Sequence, residues 1–470
     1  MKHIKILLLS LASSFAAFAA DINVSCGQLE GLLADEDIKN ESSLKLKGSI
    51  DARDLAALEK LSSKVTSLDL KDVKIEGVTL PNRKYFGRTL FSEGEIPAYT
   101  FFKSGVETLV LPATTTLICE GAFAGSAIQN IVIPEGVTSL GDYAFYGCDN
   151  LVSVSLPSTL KSIGKGAFGN CTELRTLNLS ATKITEIPQR AFAGSVNLES
   201  VILPASAVKV GRESFSHTKI SRLNLSGVSE FEDYALSSMP FLTELSINPN
   251  AKIREGLLMD DTSLQSLTSV PSMVPDYFAA NCSKLEAQEV IKDVAELGNY
   301  SFANTRSEVL VLPNTLTKVN RGALAGLINI AKIDVTALAG SVPEADQYSF
   351  EGLDQPKILL AVDKDYLDEW KNDPYWSLFD VKSSDETGMA DMPAVASEEI
   401  KISCLGGKIL ITSSAIINDV RIYTTDGRMA YVASPSSDSV EIETASLPSG
   451  IVIVSASDIH GNAQTVSVLL

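Results

Sequence analysis

One feature dominates this sequence. An aromatic or aliphatic residue, usually preceded by Ala or Ser, returns twelve times at intervals of 21 to 26 residues. The series is Phe101, Phe123, Phe145, Phe168, Phe192, Phe215, Leu236, Leu257, Phe278, Phe302, Leu324 and Phe350. Self-similarity at such a period is the signature of stacked supersecondary units, each too small to bury its own apolar face. Between these residues runs a short stretch patterned L-x-x-L-x-L, as in Leu174 to Leu179 and Leu198 to Leu203. Its alternation buries one face of a strand and exposes the other. Pro112, Pro134, Pro157, Pro204 and Pro313 follow such stretches and end them, because proline has no N–H for a ladder.

The expected fold is a β-rich repeat solenoid of about twelve turns of ~23 residues. Its strands pair in parallel along one side, over a ladder of leucines and a spine of phenylalanines. The array is expected at 96–352. Ahead of it, 20–95 reads as a cap and loop. Within that segment Leu55, Leu58 and Leu61 lie at helical spacing after Ser49 or Asp51, and 64–70 repeats the strand pattern. Residues 81–95 read as a loop. After the array, 353–382 reads as a second cap. There Ile358 to Val362 is the expected last strand, Asp363 to Lys371 a short helix, and Tyr366, Trp370, Trp376 and Phe379 the expected lid over the open core.

Residues 383–399 are rich in Ser, Asp, Glu, Ala and Pro and read as a linker. From 400 to 470 the pattern changes to β-prone runs at 408–412, 419–424, 439–443, 451–456 and 465–469. Asp426-Gly427 and Pro448 to Gly450 mark turns between them. This is the expected small C-terminal β-sandwich.

The first 19 residues read as an export leader. Lys2 and Lys5 precede an apolar run that reaches Phe18, and Ala17 and Ala19 form the small-x-small cleavage site. No segment is long enough in apolar residues to span a bilayer. The residues before Cys26 make a poor lipid-attachment site. The formal net charge is −19, and a mature chain without Lys2 and Lys5 is two units more negative. Such a charge repels nucleic acid and anionic headgroups.

The six cysteines include no C-x-x-C pair, so zinc has no support. Cys148 and Cys171 share one place in successive units. In-register side chains point the same way, so buried free thiols are expected rather than a disulfide, although export would permit one. His3 leaves with the leader, and His217 and His460 have no nucleophile or ligand at a recognisable spacing. The acidic clusters at 35–37 and 363–368 lack calcium-loop spacing and read as solvated faces. No cofactor, metal or catalytic residue is expected.

Exposed strand positions remain as the candidate binding face: Thr108, Asn130, Ser153, Ser155, Thr176, Asn178, Ser200, Arg222, Asn224 and Glu244. They are mostly small and polar, and none is aromatic. A flat polar sheet can bind an extended protein surface through many weak contacts. Short hydroxyl and β-branched side chains are also what a parallel ladder tolerates with no ligand at all.

The unit LPSTLKSIGKGAFGNCTELRTLNLS at 156–180, with its recurring IP/LP, IG, AF, C and L, resembles the BspA-like leucine-rich-repeat family of bacterial surface proteins. The resemblance covers roughly 40–380 and implies surface display and protein binding, often adhesion to host or matrix proteins. Gln288 at a ladder position and leucines in place of phenylalanine depart from the pattern between about 230 and 300. Separately, Val420 to Tyr423, Gly427-Arg428 and Leu447 to Ile451 resemble the C-terminal sorting domain of type IX secretion substrates. That resemblance implies passage across an outer membrane, with partners in export and anchoring machinery. The terminus Val466 to Leu470 lacks the basic residue common there, and a plain spacer is the alternative.

The expected function is therefore an exported, non-enzymatic scaffold, at the cell surface or secreted, that binds an extracellular protein. The alternatives are a glycan-handling accessory protein, favoured by aromatics on an exposed face, and an enzyme with its site in the irregular turns 230–300.

Overall fold

The computed structural model describes residues 20–470 apart from 36–37, 39–40, 60–64, 268–269, 386–399, 406–407 and short tail segments at 425–428, 434, 436, 445–446, 449–450, 459–462 and 470. The expected leader lies outside the described residues. So do most of the expected linker, the Asp426-Gly427 and Ser449-Gly450 turns, and His460. The chain divides into two compact units that meet between Ser383 and Ser384.

The first unit is a parallel β-solenoid. Most coils contribute a short parallel strand along one side, as where Asn130–Val132 pairs with Ser153–Ser155 and Arg222–Leu225 with Glu244–Ile247. A second parallel ladder, of two-residue strands such as Glu186–Ile187, Lys209–Val210 and Glu230–Phe231, lies later in each coil. Between the second ladder and the next first-ladder strand is a tight turn that carries the spine residue. Phe101, Phe123, Phe145, Phe168, Phe192 and Phe215 are fully buried there. Successive rings stack, Phe123 on Phe145 at 4.9 Å and Phe145 on Phe168 at 5.4 Å between centroids.

The turn is built so that alternate N–H groups reach the next coil. Phe123 N donates to Ala144 O at 2.8 Å, and Phe145 N to Ala167 O at 2.8 Å. In the coils from Phe101 to Leu324 the residues two before and two after the spine position hold positive φ, and those of the Phe123 coil donate in the same direction. Gly121 N reaches Asp142 O and Gly125 N reaches Tyr146 O. Glycine is common at these positions because it takes positive φ without strain. His217, at φ 57°, occupies the same backbone place as Gly125 and Gly147, which accounts for it as a turn residue.

This geometry corrects the phase of two coils. Gly256 and Tyr277 hold positive φ, and Leu258 N and Ala279 N donate to Phe278 O and Ser301 O. The spine positions are therefore Leu258 and Ala279, not Leu257 and Phe278. Phe278 still enters the core, from one residue earlier, and meets Phe302 edge-on at 6.0 Å and 63°. Each ring or isobutyl group fills the interior whichever of the two adjacent positions supplies it.

In several coils a hydrogen-bond donor stands three residues after the spine position. Cys148 Sγ donates to Phe123 O, Cys171 Sγ to Phe145 O, Ser195 Oγ to Phe168 O and Cys282 Sγ to Leu258 O. These thiols are free and buried, each committed to a spine carbonyl of the preceding coil. Burial pushes the Cys148 thiol up to about 11, so little reactive thiolate exists.

Asp261 occupies this donor position and is fully buried. Its Oδ1 accepts from Met239 N at 2.6 Å, while Oδ2 has no protein partner. Burial raises its carboxyl well above the usual range, with Asp260 adding repulsion. A carboxyl held neutral in the fold but ionised when unfolded supports folding fully only below its unfolded pKa of about 3.9. That support is lost as pH rises towards the folded value. Asp261→Cys should therefore be more stable than the wild type at pH 7, by about 1–2 kcal/mol. The gain should shrink towards pH 4 in urea unfolding, and a gain that stays constant with pH would refute the assignment.

Both ends are closed. At the start, Ala20–Val24, Ser43–Ile50 and Ser67–Ile75 extend the first ladder in parallel. The helix Ala52–Leu58 begins at Asp51, whose side chain accepts from Arg53 N. Asp54 is wholly buried and accepts from Gly27 N, Leu29 N and Asp51 N at 2.7–2.9 Å. The expected loop 81–95 contains Leu90–Phe91, paired antiparallel with Val78–Thr79. At the other end, Trp370, Trp376, Phe350 and Phe379 form an edge-to-face cluster. The indole N–H groups of Trp370 and Trp376 donate to Ala339 O and Pro343 O. Tyr366 stays outside this lid, half-exposed over Gly340. Leu359–Val362 is not the last strand: Asp380–Ser383 follows the lid and pairs with it in parallel.

One further coil is irregular. The helical turn Ala287–Val290 stands where a strand is expected, and Gln288 Oε1 accepts from Val311 N of the following coil. A side chain there does the work of the missing ladder.

The second unit is an antiparallel six-stranded sheet. The runs expected at 408–412 and 419–424 are one strand, Lys408–Thr424. Its first part pairs with Lys401–Leu405 and Ser437–Glu443, and its second with Met429–Ala433 and Ile451–Asp458. Ile409, Ile411, Ile417, Val420, Ile422, Val452 and Val454 form its core. Lys401–Leu405 and Met429–Ala433 have no counterpart in the expected runs.

Candidate binding faces

The strand positions named from sequence all lie on the outside of the first ladder. Register carries Thr108 to Asn130 and Asn130 to Ser153, Thr176 to Ser200, and Arg222 to Glu244. Ser155, Asn178 and Asn224 lie two residues on in the same strands, and all ten side chains are exposed. The ladder does not bring them into one unbroken sheet. Strands up to Ser153–Ser155 form one block, Thr176–Asn178 with Ser200–Ile202 a second, and Arg222–Leu225 to Ser266–Leu267 a third.

Part of this polarity has local work. Asn178 Oδ1 accepts from Ser180 N and Asn224 Oδ1 from Ser226 N, which turns the chain out of each strand. Ser153 Oγ donates to Asn130 Oδ1 at 2.6 Å. Arg222 pairs with Glu244 at 2.9 Å, and Glu199 pairs with Lys219 at 2.9 Å and Arg175 at 3.5 Å. Such exposed pairs contribute little stability, so their charges remain available to a partner. Val132 and Ile202 are large apolar side chains exposed on the same face.

The tight turns make a second face, which the strand-column reading of the sequence missed. Tyr99, Phe102, Tyr143 and Tyr146 are exposed there, and Tyr277 and Tyr300 stack at 5.6 Å further along. The missed signal is the alternation of Tyr and Gly two residues before the spine position, at 99, 121, 143 and 166.

Between these aromatic stretches a shallow cleft of about 280 Å³ is lined by Arg212, Glu213, Ser216, His217, Tyr234 and Asp260, among others. Ser216 Oγ lies 2.8 Å from His217 Nδ1, but the two are sequence neighbours within one turn. Asp260 instead accepts from Asn281 Nδ2 at 2.7 Å. Among the described residues no ion pair joins His217 to Glu213 or Asp260; Glu213 instead pairs with Arg190 and Arg212. Among the described residues there is no cluster of metal-ligating side chains, and no helix is long and apolar enough to cross a membrane.

Comparison with known proteins follows the repeat. The BspA type leucine-rich repeat region matches in six copies, over residues 94–218, 181–286 and 272–359, which together run unbroken across more than half of the chain. The solved structure of a leucine-rich repeat protein from Bacteroides ovatus aligns at 20% identity and a TM-score of 0.57, covering 77% of this chain and 87% of that one. A Treponema pallidum leucine-rich repeat protein aligns at 28% identity and a TM-score of 0.32 over 34% of this chain and 79% of its own. A leucine-rich cell surface protein of Faecalibacterium prausnitzii aligns at 16% identity and a TM-score of 0.33, covering 58% and 83% respectively. No curated protein matches. The coil geometry and the six matched copies agree, and the chain belongs to the BspA-type leucine-rich repeat family.

Proposed function

We propose that this chain is an exported scaffold, displayed at the cell surface or secreted, whose strand face binds an extracellular protein. Adhesion to a host or matrix protein is the use that suits it. The observation that carries this reading is the strand face itself: Thr108, Asn130, Ser153, Thr176, Ser200, Arg222 and Glu244 point outward from strands whose inward side chains form the buried core. Preset side chains lose little freedom on binding, so many weak contacts can sum.

The start of the fold supports cleavage after Ala19. Ala20–Val24 pairs with Ser43–Ile50, and Ile22 and Val24 are buried. Lipid attachment at Cys26 would remove that strand. The tail supports a sorting or spacer role, and a β-sandwich is the arrangement we propose for it, since one strand changes partners along its length.

The test is a binding screen of the purified mature chain against host and matrix proteins, repeated with the charge swap Arg222→Glu/Glu244→Arg and with Ser153→Trp. Both variants should keep the parent melting temperature, and each should weaken binding about tenfold or more. Unchanged affinity in both would remove the strand face from the interaction. Deleting 400–470 should abolish surface exposure if the tail sorts the protein.

A further inference from the structure

Across the first four coils the turn face repeats with a period of two. Two residues before the spine stand Tyr99, Gly121, Tyr143 and Gly166, and one residue after it stand Phe102, Ala124, Tyr146 and Gly169. Aromatic pairs therefore alternate with pairs of small residues. Tyr99 and Phe102 meet edge-to-face at 5.9 Å and 88°, and Tyr143 and Tyr146 at 5.6 Å and 89°. All four are 41–45% exposed. The small residues make room for them: a Cβ at Gly166 would stand 2.7 Å from the Tyr143 ring, and one at Gly169 would stand 3.0 Å from Tyr146. The Tyr99, Tyr143 and Tyr146 rings thus lie across the next coil and leave their remaining surface to solvent.

We propose that this turn face is a carbohydrate platform that takes an extended, uncharged, β-linked glycan along the solenoid axis. Four features of the turn face select that ligand class. Adjacent coils stack at about 5 Å, so the aromatic pairs repeat at roughly 10 Å, twice the spacing between neighbouring strands. That repeat matches a disaccharide step of an extended chain, so every second sugar meets a ring pair. Second, planar polar groups border the rings. Asn170 Nδ2 donates to Tyr146 Oη at 2.7 Å, and Tyr99 Oη donates to the Glu120 carboxylate. Aromatic surface beside amide and carboxylate groups suits a sugar ring, which offers C–H groups on its face and hydroxyls at its rim. Third, the backbone here has no edge to lend. Gly121, Phe123, Gly125, Tyr143, Phe145 and Gly147 all donate their N–H groups to the next coil, so a peptide could not add as a strand. Fourth, nearby charges offset one another, with Lys103 over the Phe102 ring and Glu120 on the Tyr99 hydroxyl, which favours a neutral ligand.

The platform lies on a different side of the coil from the strand face, so the two proposals fail separately. The test is affinity electrophoresis of the mature full-length chain in gels containing hydroxyethyl cellulose, xylan or glucomannan, followed by titration with oligosaccharides of two to six sugars. Retardation by at least one polymer is expected, with affinity rising about tenfold once the chain is long enough to meet both ring pairs. Phe102→Ala covers no glycine and should leave the melting temperature unchanged while weakening binding about tenfold. Tyr146→Phe should retain most affinity, since it keeps the ring. Ser153→Trp, on the strand face, should have no effect. No retardation in any of the three polymers would overturn the proposal. So would glycan binding that survives Phe102→Ala combined with Tyr143→Ala in a chain that keeps its far-ultraviolet circular dichroism spectrum.

Discussion

Truncation of Phe145 to Ala is expected to destabilise the solenoid by about 3–5 kcal/mol, the range for emptying a buried aromatic site. The ring is fully buried and stacks on both neighbours, Phe123 at 4.9 Å and Phe168 at 5.4 Å. Neither neighbour can move into the gap, because each is held by the backbone bonds of its own coil to the next, Phe123 N to Ala144 O and Phe168 N to Ala191 O. The cavity therefore stays open, which places the cost high in the range. Repeat arrays need not unfold in one step, so the effect is best read by native-state hydrogen exchange together with urea unfolding. Protection should fall most between about 120 and 195 and recover with distance. A loss under 1 kcal/mol would mean that the rings do not share one interior.

The second large effect lies in the opening cap. Asp54→Ala leaves three backbone N–H groups, of Gly27, Leu29 and Asp51, without their buried acceptor. Each unsatisfied buried donor costs about 1–3 kcal/mol, and the three are coupled, so a total of about 4 kcal/mol is expected. Asp54→Asn keeps one oxygen and should recover part of it. The loss should be confined to residues 20–75 in hydrogen exchange, because the cap meets only the first coils. Equal loss of protection across the whole array would show that the cap nucleates the fold rather than closing it.

The spine was legible in the sequence because burial there is absolute: a fully enclosed ring cannot be replaced by a polar side chain. Its phase was less legible. In the segments 255–261 and 276–282 two adjacent residues are apolar, and hydrophobic spacing alone cannot choose between Leu257 and Leu258 or Phe278 and Ala279. The backbone chooses, through positive φ at Gly256 and Tyr277. The pair Asn281-Cys282, matching Asn170-Cys171, carried that information. The strand Asp380–Ser383 was hidden because a lone strand after a helix has no repeat to reveal it. The tail strand Lys408–Thr424 was split in two because its middle, Ser413 to Asn418, lacks a steady alternation. On the candidate face, exposure followed from alternation, whereas the blocks into which the ladder divides depend on hydrogen-bond geometry that alternation does not encode. The aromatic turn face was missed because its pattern runs across coils rather than along a strand.

Among the described residues, the backbone hydrogen bonds between coils join immediate neighbours, Phe123 N to Ala144 O of the next coil and Val152 N to Gln129 O of the preceding one. Growth of such an array is therefore a matter of whole units. Duplicating or excising whole units of 21 to 26 residues keeps the ring column in step, and doing so in pairs also keeps each turn-face aromatic over a small residue, whereas a fractional indel breaks both patterns. A lineage can thus lengthen or shorten its reach by recombination, in increments of one strand spacing, without redesigning either closing element.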